Sequence, residues 1–453
     1  MSGFPVDPDF PQLAVASDPG RMLELFRERL TPIAGKECEI ETCQPFRFRV
    51  RQSTARAVLQ YTLHLVDRAT GRRWDQWVTG LVYAELGKAE ALWRELRASD
   101  PRRDIPVQWL VYEPVDFIPE LGMLVQLFPF DRKLPHLAPV LNGALQELEP
   151  RLARHLGPGD WRRRERTIEP TRYRTELGAA LRYTLRAREE RTARAGTVRC
   201  YLKVYRDHRG AATNALLESL AARPEDARPY TAVRPVAYLA ELRTLVLEEA
   251  AGTALQELLL ERRDSGDALR RVARAVAAFN QDDVAVTEPY SLADQLDEVR
   301  RAGALLQWAY PDAGAEIDAL VGAVARGLSD VPPAPIHRDL KTDHLFLSPT
   351  RVIFIDLDSA GLGDPVRDPA HLFAHIVGRV GLDALSREEA RAAARAFAEE
   401  YFRHVPPEWR ERFAPHCAGA LLEVARGIFK RQETGWRDKV RAAIEEARRA
   451  LTE

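Results

Sequence analysis

PIHRDLKTDHLFLSPTRVIFIDLDSAGLGDP, residues 335–365, holds two short apolar runs around a polar turn. Leu345–Leu347 and Val352–Ile355 read as strands, with Ser348-Pro349-Thr350-Arg351 as the hairpin turn between them. If Leu347 pairs with Val352, antiparallel counting sets Asp343 and His344 beside Ile355 and Asp356. Asp339 stands on the loop just before the first strand. One hairpin thus gathers Asp339, His344 and Asp356 at a single end. Two carboxylates with an imidazole suit a divalent cation plus a general base. Loop carboxylates that cap and stiffen turns are the plainer reading of any one of these acids. The three together, embedded in His337-Arg338-Asp339, point to chemistry.

The chain around this stretch has 453 residues, room for two or three domains. Hydrophobic residues at 45% and charged residues at 29% are a globular composition, against wholesale disorder. The formal net charge of −1 gives no support to a nucleic-acid groove or an anionic-membrane surface. Cys38, Cys43, Cys200 and Cys417 form no C-x-x-C pair, which argues against a disulfide scaffold or a cysteine zinc site and for a reducing compartment. The start, MSGFPVDPDFP, has neither a basic n-region nor an apolar h-region. No stretch approaches the ~18 uninterrupted apolar residues of a membrane span. A soluble, cytoplasmic protein is expected, without nucleic-acid or membrane partners.

The chain also resembles itself. AVLQYTL (Ala57–Leu63) aligns with AALRYTL (Ala179–Leu185), GLVY (Gly80–Tyr83) with LKVY (Leu202–Tyr205), and PVDFIPELGMLV (Pro114–Val125) with PVAYLAELRTLV (Pro235–Val246). Three blocks at nearly constant offset indicate a duplicated unit. Each copy reads as two strand-like runs, a helix (KAEALWREL or AATNALLESLAA) and further strands, a small antiparallel sheet with one helix. HLGPGDWRRRERTIEP, residues 155–170, reads as the junction; its arginine run is a solvated linker or an anion site. After about Gly252 the texture is helical, with Leu269, Val272, Val276 and Phe279 on one stripe and Val440, Ile444, Ala447 and Leu451 on another. Ser386 and Glu389 form a capping-box pattern. The expected domains are 1–160, 161–252 and 253–453.

HRDLKTDHLFL followed by FIDLDSAGLGDP resembles the catalytic and metal-binding segments of aminoglycoside phosphotransferases and related small-molecule kinases of the protein-kinase-like fold. The G-D-P-x-x-D ending (Gly363, Asp364, Pro365, Asp368) is closer to that branch than to protein kinases. The resemblance implies an α+β, two-lobe, protein-kinase-like fold, with an antiparallel-sheet small lobe and a mainly helical large lobe, preceded here by a duplicated small-lobe-like domain. It implies that Asp339 orients or deprotonates an acceptor hydroxyl, that Asp356 holds Mg²⁺ bridging the ATP phosphates, and that Lys203 contacts the α- and β-phosphates. Glu218 is the best-placed helix glutamate to hold Lys203. Leu247, Glu248, Glu249 and Ala250 become the hinge that meets adenine. Lys341 reaches the γ-phosphate or is a solvated loop lysine. The chain has only seven lysines, so a lysine between apolar neighbours on a strand points to a need for the compact ammonium.

Three features depart from the pattern. The second metal position, usually asparagine, is His344, as in some lipopolysaccharide-core sugar kinases. No G-x-G-x-x-G loop is present, since TELGAALRY offers only Gly178, and no A-P-E segment follows Asp356. The first repeat carries Leu81 where the second has Lys203. It is expected to pack on the kinase, shape the acceptor site or mediate pairing, a homodimer being one form of that. Trp74, Trp77 and Trp93 could stack on a sugar, though core burial is the expectation. Asp282, Asp283 and Glu288 could face a cationic acceptor.

The function expected is an ATP- and Mg²⁺-dependent phosphotransferase acting on a small-molecule hydroxyl: a sugar, an aminoglycoside-like compound or an amino alcohol. The rival is a catalytically inactive pseudokinase acting as a binding or scaffold protein. A protein kinase, suggested by HRDLK, is the weakest reading.

Overall fold

The computed structural model describes residues 4, 7–51, 56–224, 228–262, 265–380 and 385–452. Met1–Gly3, Pro5 and Val6 of the opening segment lie outside the described residues. The chain divides into two compact units: Met1–Gly210 with Val236–Leu247 and Lys430–Gln432, and Ala211–Pro235 with Glu248–Phe429 and Glu433–Glu453.

The first unit holds both repeats as five-stranded sheets of one topology. β1 (Cys38–Arg51), β2 (Arg56–Asp67), β3 (Arg73–Tyr83), β4 (Val115–Ile118) and β5 (Met123–Leu127) lie in the order β1-β2-β3-β5-β4. In the second sheet β6 (Trp161–Arg174), β7 (Gly178–Glu189), β8 (Ala195–Tyr205), β10 (Pro235–Leu239) and β11 (Thr244–Glu248) repeat that order. The register repeats too: Val58 faces Leu81 and Ala57 faces Val82, as Ala180 faces Lys203 and Ala179 faces Val204. A helix follows the third strand in each copy, at Lys88–Ala98 and at Arg209–Ala221.

Three strands, not two, precede each of these helices. β6 escapes sequence reading because it is an edge strand with a charged outer face and no apolar alternation; β1, also an edge strand, carries a period-two signal in Phe46-Arg47-Phe48-Arg49-Val50 that the sequence reading missed. The arginine run assigned to the junction lies inside β6. Its members are exposed, and two of them also pair: Arg162 Nε is 3.0 Å from Glu190 and Arg163 Nη1 is 2.6 Å from Glu149. Glu165 and Glu169 on the same strand bind Arg186 and Arg182 of β7, each at 2.8 Å.

The two sheets share a core within this unit. Phe128, Leu137 and Val140 of the first repeat are buried with Tyr173, Leu181, Tyr183 and Leu202 of the second. Trp77 lies nearly parallel to Tyr173, at 8° and 6.2 Å, and meets Phe128 edge-on at 5.3 Å, which makes it a core residue. Trp93 stacks on Phe117 in a smaller cluster that also holds Leu81, wholly buried among Val58, Ala89 and Leu124. The β6–β7 turn is fixed by polar bonds. Asp131 Oδ2 accepts from Tyr173 Oη at 2.8 Å and from the Glu176 amide at 2.6 Å.

The second unit is mainly helical. Its helices include Ser265–Asn280, Leu292–Ala309, Gly314–Gly327, Arg367–His375, Arg387–Phe402, Phe413–Lys430 and Trp436–Ala450. Leu269, Val272, Val276 and Phe279 are buried along one of them, and Val440, Ile444 and Ala447 along another. Ser386 Oγ accepts from the Glu389 amide at 3.2 Å while Glu389 accepts from the Ser386 amide at 2.8 Å, closing the capping box. A small sheet runs β12 (Thr253–Ala254), β14 (Leu345–Leu347), β15 (Val352–Phe354) and β9 (Tyr230–Ala232), and β13 (Ala334–Ile336) pairs with β16 (Gly361–Gly363). Antiparallel sheets with many helices make the α+β class expected. Among the described residues no helix is long and apolar enough to cross a membrane.

Removing one buried hydroxyl tests how firmly the turn is held. Tyr173→Phe leaves Asp131 short of a donor and is expected to lower stability by about 1–2 kcal/mol, read as a shift of the urea midpoint at unchanged slope.

Candidate active site

The hairpin that frames the site has the register read from the sequence. Leu347 faces Val352 and Leu345 faces Phe354, and the Ile355 amide donates to His344 O at 3.0 Å. Ser348 closes the turn, donating from its amide (3.0 Å) and its hydroxyl (2.9 Å) to Arg351 O. β13 pairs antiparallel with β16, Ile336 opposite Gly361, so the loop entering at His337 and the segment leaving Asp356 are tied together.

Asp368 pins the loop. Wholly buried, it accepts from the His337 amide at 2.7 Å, the Arg338 amide at 2.9 Å and Asn280 Nδ2 at 3.0 Å. Arg338 and Asp356 both have positive φ, 69° and 61°. Such backbone costs ~1–3 kcal/mol per residue and persists where neighbours over-determine it. For Arg338 the neighbours are Glu298, 2.7 Å from Nη2, and the Tyr290 ring, 4.1 Å from the guanidinium carbon. Glu298 also meets Arg367 at 3.1 Å, and Arg367 meets Glu423 at 3.2 Å. Burial opposes the charge on Glu423, yet Arg367, with Arg426 and His371, holds its carboxyl at about 2.

Within this frame one oxygen or nitrogen from each of Asp339, His344 and Asp356 lies within 4.8 Å of the others. His344 Nδ1 faces Asp339 O at 2.9 Å. Since a carbonyl only accepts, Nδ1 carries the proton and Nε2 the lone pair. Burial then pushes the His344 pKa down to about 4, against the pull of Asp356 and Asp343, so the ring is neutral near pH 7. Its Nε2 lies 3.6 Å from Asp356 Oδ2. Two acceptors facing each other at that distance are a natural seat for a cation, and nitrogen with carboxylate oxygen is a donor set that divalent metals accept.

Asp339 is differently tuned. Burial would raise its pKa, but Lys341, His371 and His344 outweigh it and hold the carboxyl at about 2. Lys341 Nζ is 2.6 Å from Asp339 Oδ2, so this lysine is no solvated loop residue. Lys203 lies on β8 of the first unit, opposite Ala180. Leu247 belongs to that unit too, while Glu218, Glu248, Glu249 and Ala250 belong to the second.

Of the three acids proposed to face a cationic acceptor, two are engaged. Asp282 is 3.0 Å from Arg223 and 2.7 Å from Arg228, and Asp283 is 3.2 Å from both. Glu288 is exposed. Sequence reading missed Asn280, Glu298, His371 and Glu423 as supports of the loop. Asn280 closes an apolar helical stripe, an unusual end for one; the others carry no local signal.

The sequence profile of the phosphotransferase enzyme family matches residues 160–412. The chain belongs to that family. As a member it is a small-molecule phosphotransferase, the class expected from its sequence. No curated protein matches it. Solved structures to which it is similar include a choline/ethanolamine kinase family protein from Mesorhizobium loti, 14% identical, covering 63% of this chain and 88% of that one at a TM-score of 0.41. An aminoglycoside-3'-phosphotransferase of type VIII is 22% identical, with 63% and 98% covered and a TM-score of 0.38. Choline kinase from Cryptosporidium parvum is 10% identical, with 63% and 89% covered and a TM-score of 0.41.

Asp368→Ala strips three donors of their acceptor and is expected to cost roughly 3 kcal/mol of stability. Asp343→Ala, at an exposed carboxylate, should stay within about 0.5 kcal/mol, both read by denaturant titration. The depressed Glu423 carboxyl predicts an acid limb. The stability it contributes is full above its unfolded value of ~4.3 and is lost as pH falls through the folded one. Between pH ~4.5 and ~2, wild type should therefore lose more melting temperature than Glu423→Gln does.

Proposed function

We propose that this phosphotransferase is an ATP- and Mg²⁺-dependent kinase that phosphorylates a hydroxyl of a small molecule. The observation that carries the reading is the convergence of Asp339, His344 and Asp356 at one hairpin end. Asp356 and His344 would hold the cation, with Asp339 beside them; when bound, it neutralises charge on the phosphates.

The remaining roles fall to the chain's own groups. Asp339, kept ionised beside Lys341, would orient or deprotonate the acceptor hydroxyl, and positioning suits a loose transition state in which the proton leaves late. Lys341 occupies Oδ2, leaving Oδ1 to accept from the hydroxyl. Arg338 and His337, both bonded to Asp368, keep the loop that carries this carboxylate in place. Lys203 contacts the α- and β-phosphates with Glu218 as its partner, and Leu247, Glu248, Glu249 and Ala250 form the adenine hinge. Asp282 and Asp283 are matched by Arg223 and Arg228, and Glu288 is left as the exposed acid of that loop. The acceptor is a sugar, an aminoglycoside-like compound or an amino alcohol. The four cysteines are unpaired, in keeping with a reducing, cytoplasmic setting.

Calorimetric titration of ATP with and without Mg²⁺ tests the reading. Wild type should bind only weakly without the metal, and Asp356→Ala should lose about tenfold or more of the Mg²⁺-dependent affinity. Asp339→Ala should keep nucleotide affinity within about twofold and lose turnover by about 10²–10⁴-fold on any acceptor that wild type phosphorylates. Absence of ATP binding by wild type under both conditions would overturn the proposal.

A further inference from the structure

In the first repeat, the face corresponding to the Lys203 face is occupied by the chain itself. Trp77, Thr79, Leu81 and Tyr83 alternate on one face of β3, and Leu81 holds the register position that Lys203 holds in β8. The second repeat's β6–β7 turn runs along this face. Tyr173 stacks on Trp77, and Thr175 Oγ1 is 2.6 Å from Thr79 Oγ1. The Glu176 carboxylate is held by both terminal nitrogens of Arg56, one at 3.0 Å, and by Arg132 Nε at 2.9 Å. Arg49 donates to Thr175 O at 3.0 Å and Asp131 accepts from the Glu176 amide at 2.6 Å. Thr175 and Glu176 are each only 1% exposed. A surface hairpin turn is normally among the most mobile parts of a protein.

This turn begins β7, whose Gly178 and Ala180 face Tyr205 and Lys203. It therefore caps the end of the sheet at which Lys203 sits, where the sequence offers only Gly178 in place of a glycine-rich loop. Glu176 itself has positive φ, 60°, and a Cβ on Gly178 would come within 2.9 Å of Val204 O, so the turn has one narrow backbone solution. A short turn fixed beforehand loses no further conformational freedom when phosphates dock beside it, whereas a loose turn binds only through its competent fraction.

We propose that the first repeat is a built-in clamp for the β6–β7 turn, and that Arg56, Thr79, Asp131 and Arg132 are positioning residues for nucleotide use. The inference rests on the kinase reading above. The first repeat binds no nucleotide of its own, because Glu176 fills its cationic pair and Leu81 replaces the lysine. It acts instead on the nucleotide affinity of its neighbour.

The test is calorimetric titration of ATP with Mg²⁺ into the full chain, at a temperature well below every variant's melting point. Glu176→Gln and Arg56→Met are expected to weaken binding about five- to tenfold, and Thr79→Val about threefold. Arg56→Lys, which keeps a charge for Glu176, should recover most of the affinity. Phe26→Leu, a core change elsewhere in the same unit, should lower the melting temperature and leave the affinity within about twofold. If Glu176→Gln does not fold, Thr79→Val carries the same comparison. Folded clamp variants that bind ATP as tightly as wild type, or tighter, overturn the clamp while leaving the kinase reading intact. A wild type that binds no nucleotide overturns both.

Discussion

Three donors converge on the carboxylate of Asp368, and the site hangs from that convergence. Its two oxygens hold the consecutive amides of His337 and Arg338, while Asn280 ties it to the long helix beneath. Without that acceptor, the two backbone amides would be buried with no partner, each a loss of about 1–3 kcal/mol, and Asn280 would keep only Pro335 O, at 2.8 Å. With it, the backbone can take the positive φ at Arg338 that precedes Asp339. His337 then reaches Ile355 O at 2.9 Å, and the strand that ends in Asp356 is fixed relative to the loop that carries Asp339.

Electrostatics within this frame push neighbouring groups in opposite directions. Burial works against charge at both Asp339 and His344. At Asp339 the nearby Lys341 prevails and the carboxylate stays ionised; at His344 burial prevails and the ring stays neutral. The difference follows from what each group faces. Asp339 meets an ammonium at 2.6 Å, whereas His344 donates to a carbonyl and turns its lone pair toward a carboxylate. A carboxylate kept ionised and an imidazole kept neutral thus sit within a few residues of each other.

The duplicated sheet shows how one register can serve two ends. Leu81 and Lys203 stand at matching positions, yet one is a leucine buried in the cluster that includes Ala89 of the helix Lys88–Ala98 and the other is a lysine opposite Ala180. Packing the second repeat's turn against the first gives a buried ion pair, costly to desolvate unless fully bonded. Glu176 meets that condition through Arg56 and Arg132, which keep its pKa below the ordinary range although burial opposes the charge. Such a pair fixes register and position more than it adds net stability.

Much of the fold was legible in residue order. The apolar runs and turn at residues 345–355, the repeated blocks and the capping box at Ser386 are local patterns, and a strand's period or a cap's spacing lies within a few residues. The hairpin register followed from counting, and with it the proximity of Asp339, His344 and Asp356. β1 was missed although Phe46, Phe48 and Val50 alternate with arginines, and β6 was not legible, because a charged edge strand owes its pairing to a neighbour and not to its own periodicity. The partners of the site's charges were beyond reach for the same reason: Glu423 and Glu298 meet Arg367 from distant helices, and Glu176 meets Arg56 across 120 residues of chain. The sequence by itself determined which side chains could do chemistry. Only the tertiary structure decided which stay charged and which are held still, because burial and long-range pairing are properties of the packed chain and of no segment alone.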